Sequence, residues 1–263
     1  MVKQKLLLVD GSSLAFRAFF SILDLNRFKN SNGLHTNALY SFHRMFKSIL
    51  DSEKPTHVLV AWDAGKTTFR TEMYADYKGG RSKTPGEFIE QMPYFNVLLD
   101  AWGIPHYRLN QYEADDIIGT LARKGEEAGY EVVVLSGDKD LIQLADNNIT
   151  VKITTKGVTE LVEYTPEVIF EKYGLTPEQI IDMKGLMGDS SDNYPGVTKV
   201  GEKTAVKLLQ EFGSVEGIYE HVDEMKKSKL KENLINDKEL AFLSKKLARI
   251  NVESPIEITL EDT

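Results

Sequence analysis

The sequence contains no cysteine, and this absence excludes disulfide bonds and thiolate–metal sites within the chain. It is also consistent with a reducing compartment. No apolar run approaches the roughly 18–20 residues that cross a bilayer, so neither a membrane span nor a membrane partner is expected. No small-residue cleavage site follows the N-terminal residues, so a signal peptide is not expected. We therefore expect a cytoplasmic protein.

The composition is that of a folded domain. Hydrophobic residues make up 41% of the 263 residues and charged residues 27%, which argues against disorder. This length fits one large α/β domain or a core domain with a helical appendage.

Acidic residues follow the predicted strands. Short β-branched and leucine runs at 5–9, 58–62 and 131–135 read as buried parallel strands. The carboxyl ends of parallel strands face one crevice, where ligands bind. Carboxylates gathered there repel one another unless cations lie among them, and divalent cations with oxygen ligands suit this role. The nine candidate ligands are Asp10, Asp63, Glu113, Asp115, Asp116, Asp138, Asp140, Asp189 and Asp192.

Each acid has a simpler explanation when it is considered alone. Asp10 precedes a predicted helix and could be its N-cap. Glu113, Asp115 and Asp116 begin another helix, where the dipole favours negative charge. Capping requires one acid per helix, however, and the pattern recurs in five separate elements. The pattern as a whole therefore favours a metal site.

The formal net charge of −8 does not exclude nucleic acid as a partner. If metal ions neutralise the nine candidate ligands, the remainder of the chain carries −8 + 9 = +1. The distribution of charge therefore matters more than its sum.

Strands and helices alternate in the first half of the chain. We expect helices at about 12–23, 36–50 and 114–128, a further strand at 104–109, a short helix through 141–144 and an edge hairpin of 149–155 with 158–163. Right-handed crossovers then give a mostly parallel sheet with helices on both faces. From residue 166 onward the patterns are helical, apart from a strand predicted at 256–260. The expected division is an α/β core at 1–165 and a helical region at 166–263.

Two segments carry signals for nucleic-acid binding. In residues 64–86, basic residues alternate with aromatic residues that can stack on bases. Residues 188–205 join an acidic pair to a glycine-bounded turn and a helix N-terminus, whose N–H groups can hold a phosphate. The first could instead be a mobile surface loop, and the second a plain helix–turn–helix connection with a solvated lysine face. The five histidines show no metal spacing, and Trp62 and Trp102 are expected in the core.

Together these motifs resemble the 5′-nuclease (flap endonuclease) family, in particular the 5′→3′ exonuclease domains of bacterial DNA polymerase I. The resemblance rests on six motifs in the family's order, and it covers nearly the whole chain. They are Val9-Asp10-Gly11-Ser12, Asp63 with Phe69-Arg70, Tyr77-Lys78-Gly79-Gly80-Arg81, Glu113-Ala114-Asp115-Asp116, Gly137-Asp138-Lys139-Asp140, and Gly188-Asp189 through Lys203-Thr204.

The resemblance implies a PIN-like α/β core, a helical arch at about 64–86 and a helix–three-turn–helix element at about 184–210 that binds duplex DNA. It implies two Mg²⁺ ions, replaceable by Mn²⁺, of which the first is held by Asp10, Asp63, Glu113, Asp115 and Asp116. The second is held by Asp138, Asp140, Asp189 and Asp192, and a K⁺ ion binds at the 196–201 turn. Lys78 and Arg81 are the implied catalytic cations, and Tyr77 is implied to stack on an unpaired base. The implied DNA-binding residues are Lys66, Phe69, Arg70, Tyr77, Lys83, Gly196, Val197, Lys199, Val200, Gly201, Lys203, Thr204 and Lys207.

The function that the resemblance implies is structure-specific 5′ nuclease activity in DNA replication and repair. The expected partners are branched or nicked DNA with a free 5′ end and RNA-primed DNA, with the protein acting as a nucleoid-associated monomer. One alternative is a PIN-type single-strand ribonuclease, and another is a non-catalytic duplex-binding module. A phosphatase of the haloacid dehalogenase type would need an aspartate at position 12, where this chain has Ser12. The sequence does not separate an isolated nuclease domain from a stand-alone nuclease.

Overall fold

The computed structural model describes residues 3–155 and 160–263. In these ranges six strands form one sheet with the order β3-β2-β1-β4-β5-β6. All neighbouring pairs are parallel except β5 and β6, which are antiparallel. The strands are β1 (Lys5–Asp10), β2 (His57–Ala61), β3 (His106–Tyr107), β4 (Glu131–Ser136), β5 (Ile149–Thr154) and β6 (Leu161–Tyr164).

Helices connect the strands and continue after them. The first group is α1 (Gly11–Phe20), α2 (Asn37–Glu53), α3 (Phe69–Met73), α4 (Gly86–Ile89), α5 (Met92–Ala101) and α6 (Ala114–Glu127). The second group is α7 (Pro166–Tyr173), α8 (Pro177–Met187), α9 (Glu202–Phe212), α10 (Val215–His221), α11 (Lys229–Asn236) and α12 (Lys238–Ala248). Short 3₁₀ helices lie at Leu25–Phe28, Lys139–Leu144, Val222–Glu224 and Leu260–Asp262.

The sheet is buried on both faces because its central strands are apolar throughout. Successive side chains of a strand point to opposite faces, so Leu6 and Leu8 enter one core, while Leu7 and Val9 enter the other. The first core is closed by α6 and by helices that follow residue 166. The second is closed by α1, α2 and α5. The expected sheet with helices on both faces is confirmed.

Some predicted elements differ in extent or are wrong. The strand predicted at 104–109 shortens to β3 at the sheet edge, where only one neighbour pairs with it. The edge hairpin is confirmed as β5 and β6, although its connection at 156–159 lies outside the described residues. The strand predicted at 256–260 is wrong, because this segment pairs with no strand of the described sheet. An alternating pattern cannot distinguish a strand from an extended segment that packs on a core without a partner.

The helical arch predicted at 64–86 is also not observed as such. This segment contains the five-residue helix α3, then turns to residue 80, and only α4 begins at its end. Because glycines and Pro85 interrupt residues 79–86, a longer helix would be costly there.

The connection 188–201 brings α8 to α9 through a tight crossing of backbone on backbone. Gly188 and Gly196 have positive φ values of 69° and 60°. A Cβ atom at Gly196 would lie 2.3 Å from the backbone nitrogen of Gly188, so neither position tolerates a side chain without a backbone shift. No helix in the described ranges is long and apolar enough to pass through a bilayer.

Candidate active site at the carboxyl edge of the sheet

Strands β1, β2 and β4 end at the same level. Asp10 is the register partner of Ala61, and Val9 that of Leu135. Asp63 and Asp138 follow β2 and β4 after two residues each. Parallel pairing therefore delivers three carboxylates to one edge, which we call the carboxyl edge.

Asp10 is buried at this edge, with 3% of its surface exposed. Its Oδ1 accepts a hydrogen bond from the Ser13 backbone N–H at 3.0 Å, and its Oδ2 accepts one from Ser136 Oγ at 2.6 Å. The N-cap role considered for Asp10 is therefore real. Burial and the nearby charge of Asp63 raise its pKa to about 7 in spite of these bonds. The capping hydrogen bonds therefore do not offset the effect of burial and of Asp63 on the pKa of Asp10.

The start of α6 brings Asp115 to the same edge. Asp63 Oδ1 accepts the Ala114 backbone N–H at 2.8 Å, which joins the end of β2 to this helix. The Asp115 side chain makes no hydrogen bond or ion pair within the described residues. Burial, followed by the charges of Asp10 and Asp138, raises its pKa well above the usual range. Asp115 therefore has no structural partner that would explain a charge at this position.

Asp116 is placed differently from the prediction. It is fully buried, and its two oxygens accept hydrogen bonds from the two Nη atoms of Arg70 at 2.8 Å each. It also accepts the backbone N–H groups of Glu113 and Asn251. Asp116 thus links α3, α6 and the segment after α12.

Arg70 is correspondingly not a surface cation. Only 2% of it is exposed, and its Nε and Nη2 atoms also donate to the carbonyls of Leu247 at 3.0 Å and Arg249 at 2.8 Å. The prediction that Arg70 contacts DNA is corrected, because all five N–H groups of its guanidinium donate hydrogen bonds inside the protein.

Tyr77 requires the same correction. It is 5% exposed, and its ring stacks on Tyr194 with centroids 6.4 Å apart. Its hydroxyl contacts Glu113 Oε2 at 3.2 Å and Asp192 Oδ2 at 3.3 Å. This ring is not available to an unpaired base, and Tyr77 instead connects carboxylates from two distant parts of the chain.

Lys78 and Arg81 both reach the carboxyl edge. Lys78 Nζ pairs with Glu113, and its backbone N–H donates to the Asp192 carbonyl at 2.7 Å. Burial favours the neutral form of Lys78, but the charges of Glu113 and Asp192 outweigh it and raise its pKa. The Arg81 guanidinium lies 2.7 Å from Asp192 Oδ1, and its side chain is 53% exposed. Both cations therefore border the acidic crevice, with Arg81 on its open side.

The second predicted group is organised by a lysine. Lys184 Nζ lies 2.8 Å from Asp140 Oδ1 and also contacts Asp189 Oδ2. Asp138 Oδ1 accepts the Asp140 backbone N–H at 2.9 Å and caps the following 3₁₀ helix. Burial raises the pKa of Asp138 and raises that of Asp140 to about 7. A cavity of about 260 Å³ opens between Asp138, Asp189 and Asp192.

The nine carboxylates thus share one region but divide by their partners. Within the described residues, five are paired with a lysine or arginine, and four have no cationic partner. The five are Glu113, Asp116, Asp140, Asp189 and Asp192, and the four are Asp10, Asp63, Asp115 and Asp138. As placed in residues 3–155 and 160–263, no three acidic or histidine side chains are arranged to ligate one ion.

The predicted DNA-binding residues occupy two surfaces and the interior. Phe69 is half-buried, with its ring 5.5 Å from that of Tyr112 and 4.5 Å from the Arg70 guanidinium carbon. Val197 and Val200 are buried, so only their backbone can meet a ligand. Gly196 is buried and Thr204 half-buried. The exposed members are Lys66, Lys83, Lys199, Gly201, Lys203 and Lys207.

Three further residues of the crevice were missed in the sequence. Ser136 bonds Asp10 and also accepts the Asp138 backbone N–H at 2.9 Å. Tyr194 is buried with its hydroxyl unpartnered among the described residues. Lys184 had a visible signal, because it is a lone lysine in the otherwise apolar stretch Ile180–Met187 apart from Asp182. The other two gave none.

The arrangement of a mostly parallel sheet, an acidic carboxyl edge and a helical C-terminal region defines a PIN-like 5′-nuclease fold. Two family models match the chain, namely the 5′-3′ exonuclease N-terminal resolvase-like domain at residues 5–174 and the 5′-3′ exonuclease C-terminal SAM fold at residues 175–263. The chain therefore belongs to the 5′-3′ exonuclease family.

Known proteins agree with this assignment. The chain is 64% identical over 263 residues to DNA polymerase I of Streptococcus pneumoniae strain R6, covering 100% of this chain and 30% of that protein. It thus spans about a third of the length of such relatives. A structure of the T5 5′-exonuclease with divalent zinc ions bound is 27% identical, with a TM-score of 0.76, covering 94% of this chain and 90% of the other.

A bacteriophage T5 flap endonuclease in a pseudo-enzyme–product complex with DNA and metal ions is 26% identical. Its TM-score is 0.73, and the match covers 95% of this chain and 89% of the other. The two family models meet at residues 174 and 175, whereas the sequence predicts a division at 165 and 166, which stays a prediction.

Proposed function

We propose that this chain is a structure-specific 5′ nuclease that acts as a 5′→3′ exonuclease and a 5′-flap endonuclease in DNA replication and repair. Its substrates are branched or nicked DNA with a free 5′ end and RNA-primed DNA, bound by a nucleoid-associated monomer. The observation that carries the proposal is the gathering of nine carboxylates at the carboxyl edge, four of them without a cationic partner. The T5 structures with metal ions and with DNA support it.

The residues present fit divalent cations. Burial first, and neighbouring carboxylates second, raise the pKa values of Asp10, Asp115, Asp138 and Asp140, so a bound cation would favour their ionised forms. Asp140 Oδ1 is buried without an aligned hydrogen bond, although the Lys184 ammonium lies 2.8 Å away. Hard oxygen donors of this kind suit Mg²⁺, and Mn²⁺ can replace it.

Two ions are proposed, one for each group of carboxylates. Asp10, Asp63 and Asp115, together with Glu113, would hold the first, and Asp138, Asp140, Asp189 and Asp192 the second. When bound, such ions activate a water molecule for attack and stabilise the departing oxygen. Asp116 is left out of the first group, because Arg70 occupies both of its oxygens. A K⁺ ion at the 196–201 turn remains part of the proposal.

The chain's own cations hold the scissile phosphate. Lys78 and Arg81 lie on the rim of the crevice with their charges directed inward, toward Glu113 and Asp192. Either can exchange its carboxylate for a phosphate oxygen when these acids bind metal. Preorganised cations at the position where negative charge grows lower the barrier to phosphoryl hydrolysis. Cleavage then leaves a 5′-phosphate and a 3′-hydroxyl.

Exposed lysines on both sides of the crevice would track the DNA backbone. Lys66 and Lys83 lie on the 64–86 segment, and Lys199, Lys203 and Lys207 follow the acidic pair of the 188–201 connection. Lys203 and Lys207 are one turn apart on α9, so their side chains share one face of the helix, and both are proposed to contact one strand of phosphates. Such contacts carry no sequence information, which suits an enzyme that recognises the shape of a DNA junction.

The test uses Asp115→Asn and a labelled 5′-flap duplex. Asp115 has no structural partner, so the substitution should leave the fold intact while flap cleavage in Mg²⁺ falls by at least about a hundredfold. Glu127→Gln is the matched control, because Glu127 is an exposed acid on the same helix at the end away from the site. EDTA should abolish cleavage by the unaltered chain.

Three results would contradict the proposal. Cleavage that persists in EDTA would contradict a role for metal ions, and full activity of Asp115→Asn would contradict a role for the acidic crevice. Faster cleavage of single-stranded RNA than of the flap would favour a PIN-type ribonuclease. Binding of duplex DNA with no cleavage under any metal would favour the non-catalytic module.

A further inference from the structure

The second acidic group already contains a cation, supplied by the chain itself. The Lys184 ammonium contacts Asp140 and Asp189, which lie on opposite sides of it in the sequence. The side chains of all three residues are at least four-fifths buried, with 17%, 11% and 14% exposed. This is therefore an internal ion pair rather than a surface contact.

Lys184 is fixed at its backbone and free only in its side chain. It lies on α8, which packs against α12 and against the 3₁₀ helix that carries Asp140. The flexible four-carbon stem of a lysine allows its ammonium to move while the helix stays in place. The ammonium can therefore leave the two carboxylates without any rearrangement of the fold.

Two buried polar atoms of this region lack an aligned hydrogen bond. Asp140 Oδ1 has no aligned hydrogen bond, and the Tyr194 hydroxyl has no partner among the described residues. Two backbone hydrogen bonds, of 2.9 and 3.1 Å, join Tyr194 to Asp189, so Tyr194 belongs to the same turn as this carboxylate. Unpartnered buried groups are uncommon in native proteins and point to a ligand or solvent that completes them.

The first acidic group is less compensated. Within the described residues, Asp10, Asp63 and Asp115 form no ion pair, and Glu113 is the member of this group that is paired with cations, namely Arg70 and Lys78. A divalent ion bound among Asp10, Asp63 and Asp115 displaces no cation from them. An ion entering between Asp140 and Asp189 has to compete with a positive charge that is already in contact with both.

We propose that Lys184 is the built-in counter-cation of the second group, and that a divalent ion enters this group only by displacing the Lys184 ammonium. Binding is then sequential, with the first ion taken up among Asp10, Asp63 and Asp115. Lys184 acts as a positioning residue that keeps Asp140 and Asp189 together until the second ion replaces it. The inference rests on the function proposed above and assigns its order of metal loading.

The experiment is a Mn²⁺ titration of the whole chain without DNA, with free Mn²⁺ measured by electron paramagnetic resonance. The unaltered chain should show a tight and a weak class of sites. Lys184→Met removes the charge and keeps the length of the side chain, so the weak class should tighten by at least about tenfold, which is about 1.4 kcal/mol. The tight class should stay unchanged. Lys139→Met is the matched control, because Lys139 is exposed beside the same carboxylates and forms no ion pair in the described residues.

Lys184→Arg gives the opposite result and keeps the test valid if Lys184→Met folds poorly. A guanidinium holds two carboxylates more firmly than an ammonium does, so the weak class should become weaker still. Thermal unfolding provides a second readout. In EDTA, Lys184→Met should melt below the unaltered chain, and saturating Mn²⁺ should raise its melting temperature by more.

An unchanged weak class in Lys184→Met, or a tighter one in Lys184→Arg, would overturn the inference. Equal tightening in Lys139→Met would do so too, since it would reduce the effect to general charge. An unaltered chain that binds no Mn²⁺ at all would instead contradict the proposed function.

Discussion

The Arg70→Met substitution separates an internal role of this arginine from a role in DNA binding. Arg70 is 2% exposed and donates to Glu113, to both oxygens of Asp116, and to the carbonyls of Leu247 and Arg249. Methionine fills much of the same volume but leaves the Asp116 charge buried without a counter-ion. Breaking a buried pair in this way costs about 3–5 kcal/mol.

This loss is large against the whole stability of a domain, which is about 5–15 kcal/mol. Urea denaturation should therefore show a reduced midpoint with little change in slope. Adding Asp116→Asn should recover part of the loss, because the unpaired charge disappears while the amide oxygen still accepts one of the two backbone N–H groups that Asp116 binds. Lys66→Met is the surface control and should change the free energy of unfolding by less than about 0.5 kcal/mol.

DNA binding provides the contrasting measurement. With Ca²⁺ in place of Mg²⁺ to prevent cleavage, folded Arg70→Met should bind a flap duplex as tightly as the unaltered chain. The reasoning would be refuted by a variant whose urea midpoint is unchanged and whose DNA affinity falls, since that result requires a guanidinium at the surface.

Three further predictions concern other parts of the molecule. In EDTA, the free energy of unfolding should decline as pH rises from about 4 to about 7, because the Asp10 carboxyl ionises near 3.8 when unfolded but near 7 when folded. The loss is on the order of 2–4 kcal/mol. Thermal melts should show a smaller loss in Asp10→Asn and in Mg²⁺. A pH-independent melting temperature in EDTA would contradict this. Lys203→Gln should lower the slope of log affinity for duplex DNA against log salt concentration by about 1, with equal loss on all sequences, whereas an unchanged slope would place Lys203 away from phosphates. Gly196→Ala should cost at least about 1 kcal/mol in urea denaturation, because its φ of 60° and the backbone of Gly188 leave no room for a Cβ, and a neutral result would show that the crossing relaxes.

Strands whose both faces are buried could be predicted from the sequence, because their apolar runs are continuous. This holds for β1, β2 and β4, which end where the runs give way to polar residues. The extended segment at 256–260 alternates apolar and polar residues as a half-buried strand would, but it lies on the core without a partner strand. Pairing depends on what lies beside a segment in space, and a local pattern does not record this.

The candidate site shows a similar division. Parallel topology alone predicts that Asp10, Asp63 and Asp138 approach one another. It does not indicate which acids receive a cation from the chain, because Arg70 and Asp116 are 46 residues apart in the sequence and meet only in the folded state. Alternation of basic and aromatic residues suggested a surface strip at 64–86, whereas Arg70 and Tyr77 turn inward. From sequence alone, a charged side chain is predicted to be exposed, because its buried partner is not recognisable there.

The hydrogen bonds from Arg70 to the carbonyls of Leu247 and Arg249 connect the end of α12 to the acidic crevice. The same guanidinium binds that stretch of main chain and the Asp116 carboxylate, so a displacement of either one is transmitted to the other. Duplex DNA bound to the helical region at 166–263 would therefore reduce the motion of the acidic crevice through this direct connection. Amide hydrogen exchange at residues 113–117 should slow when the chain binds a blunt duplex that does not enter the crevice. Unchanged exchange would contradict this coupling.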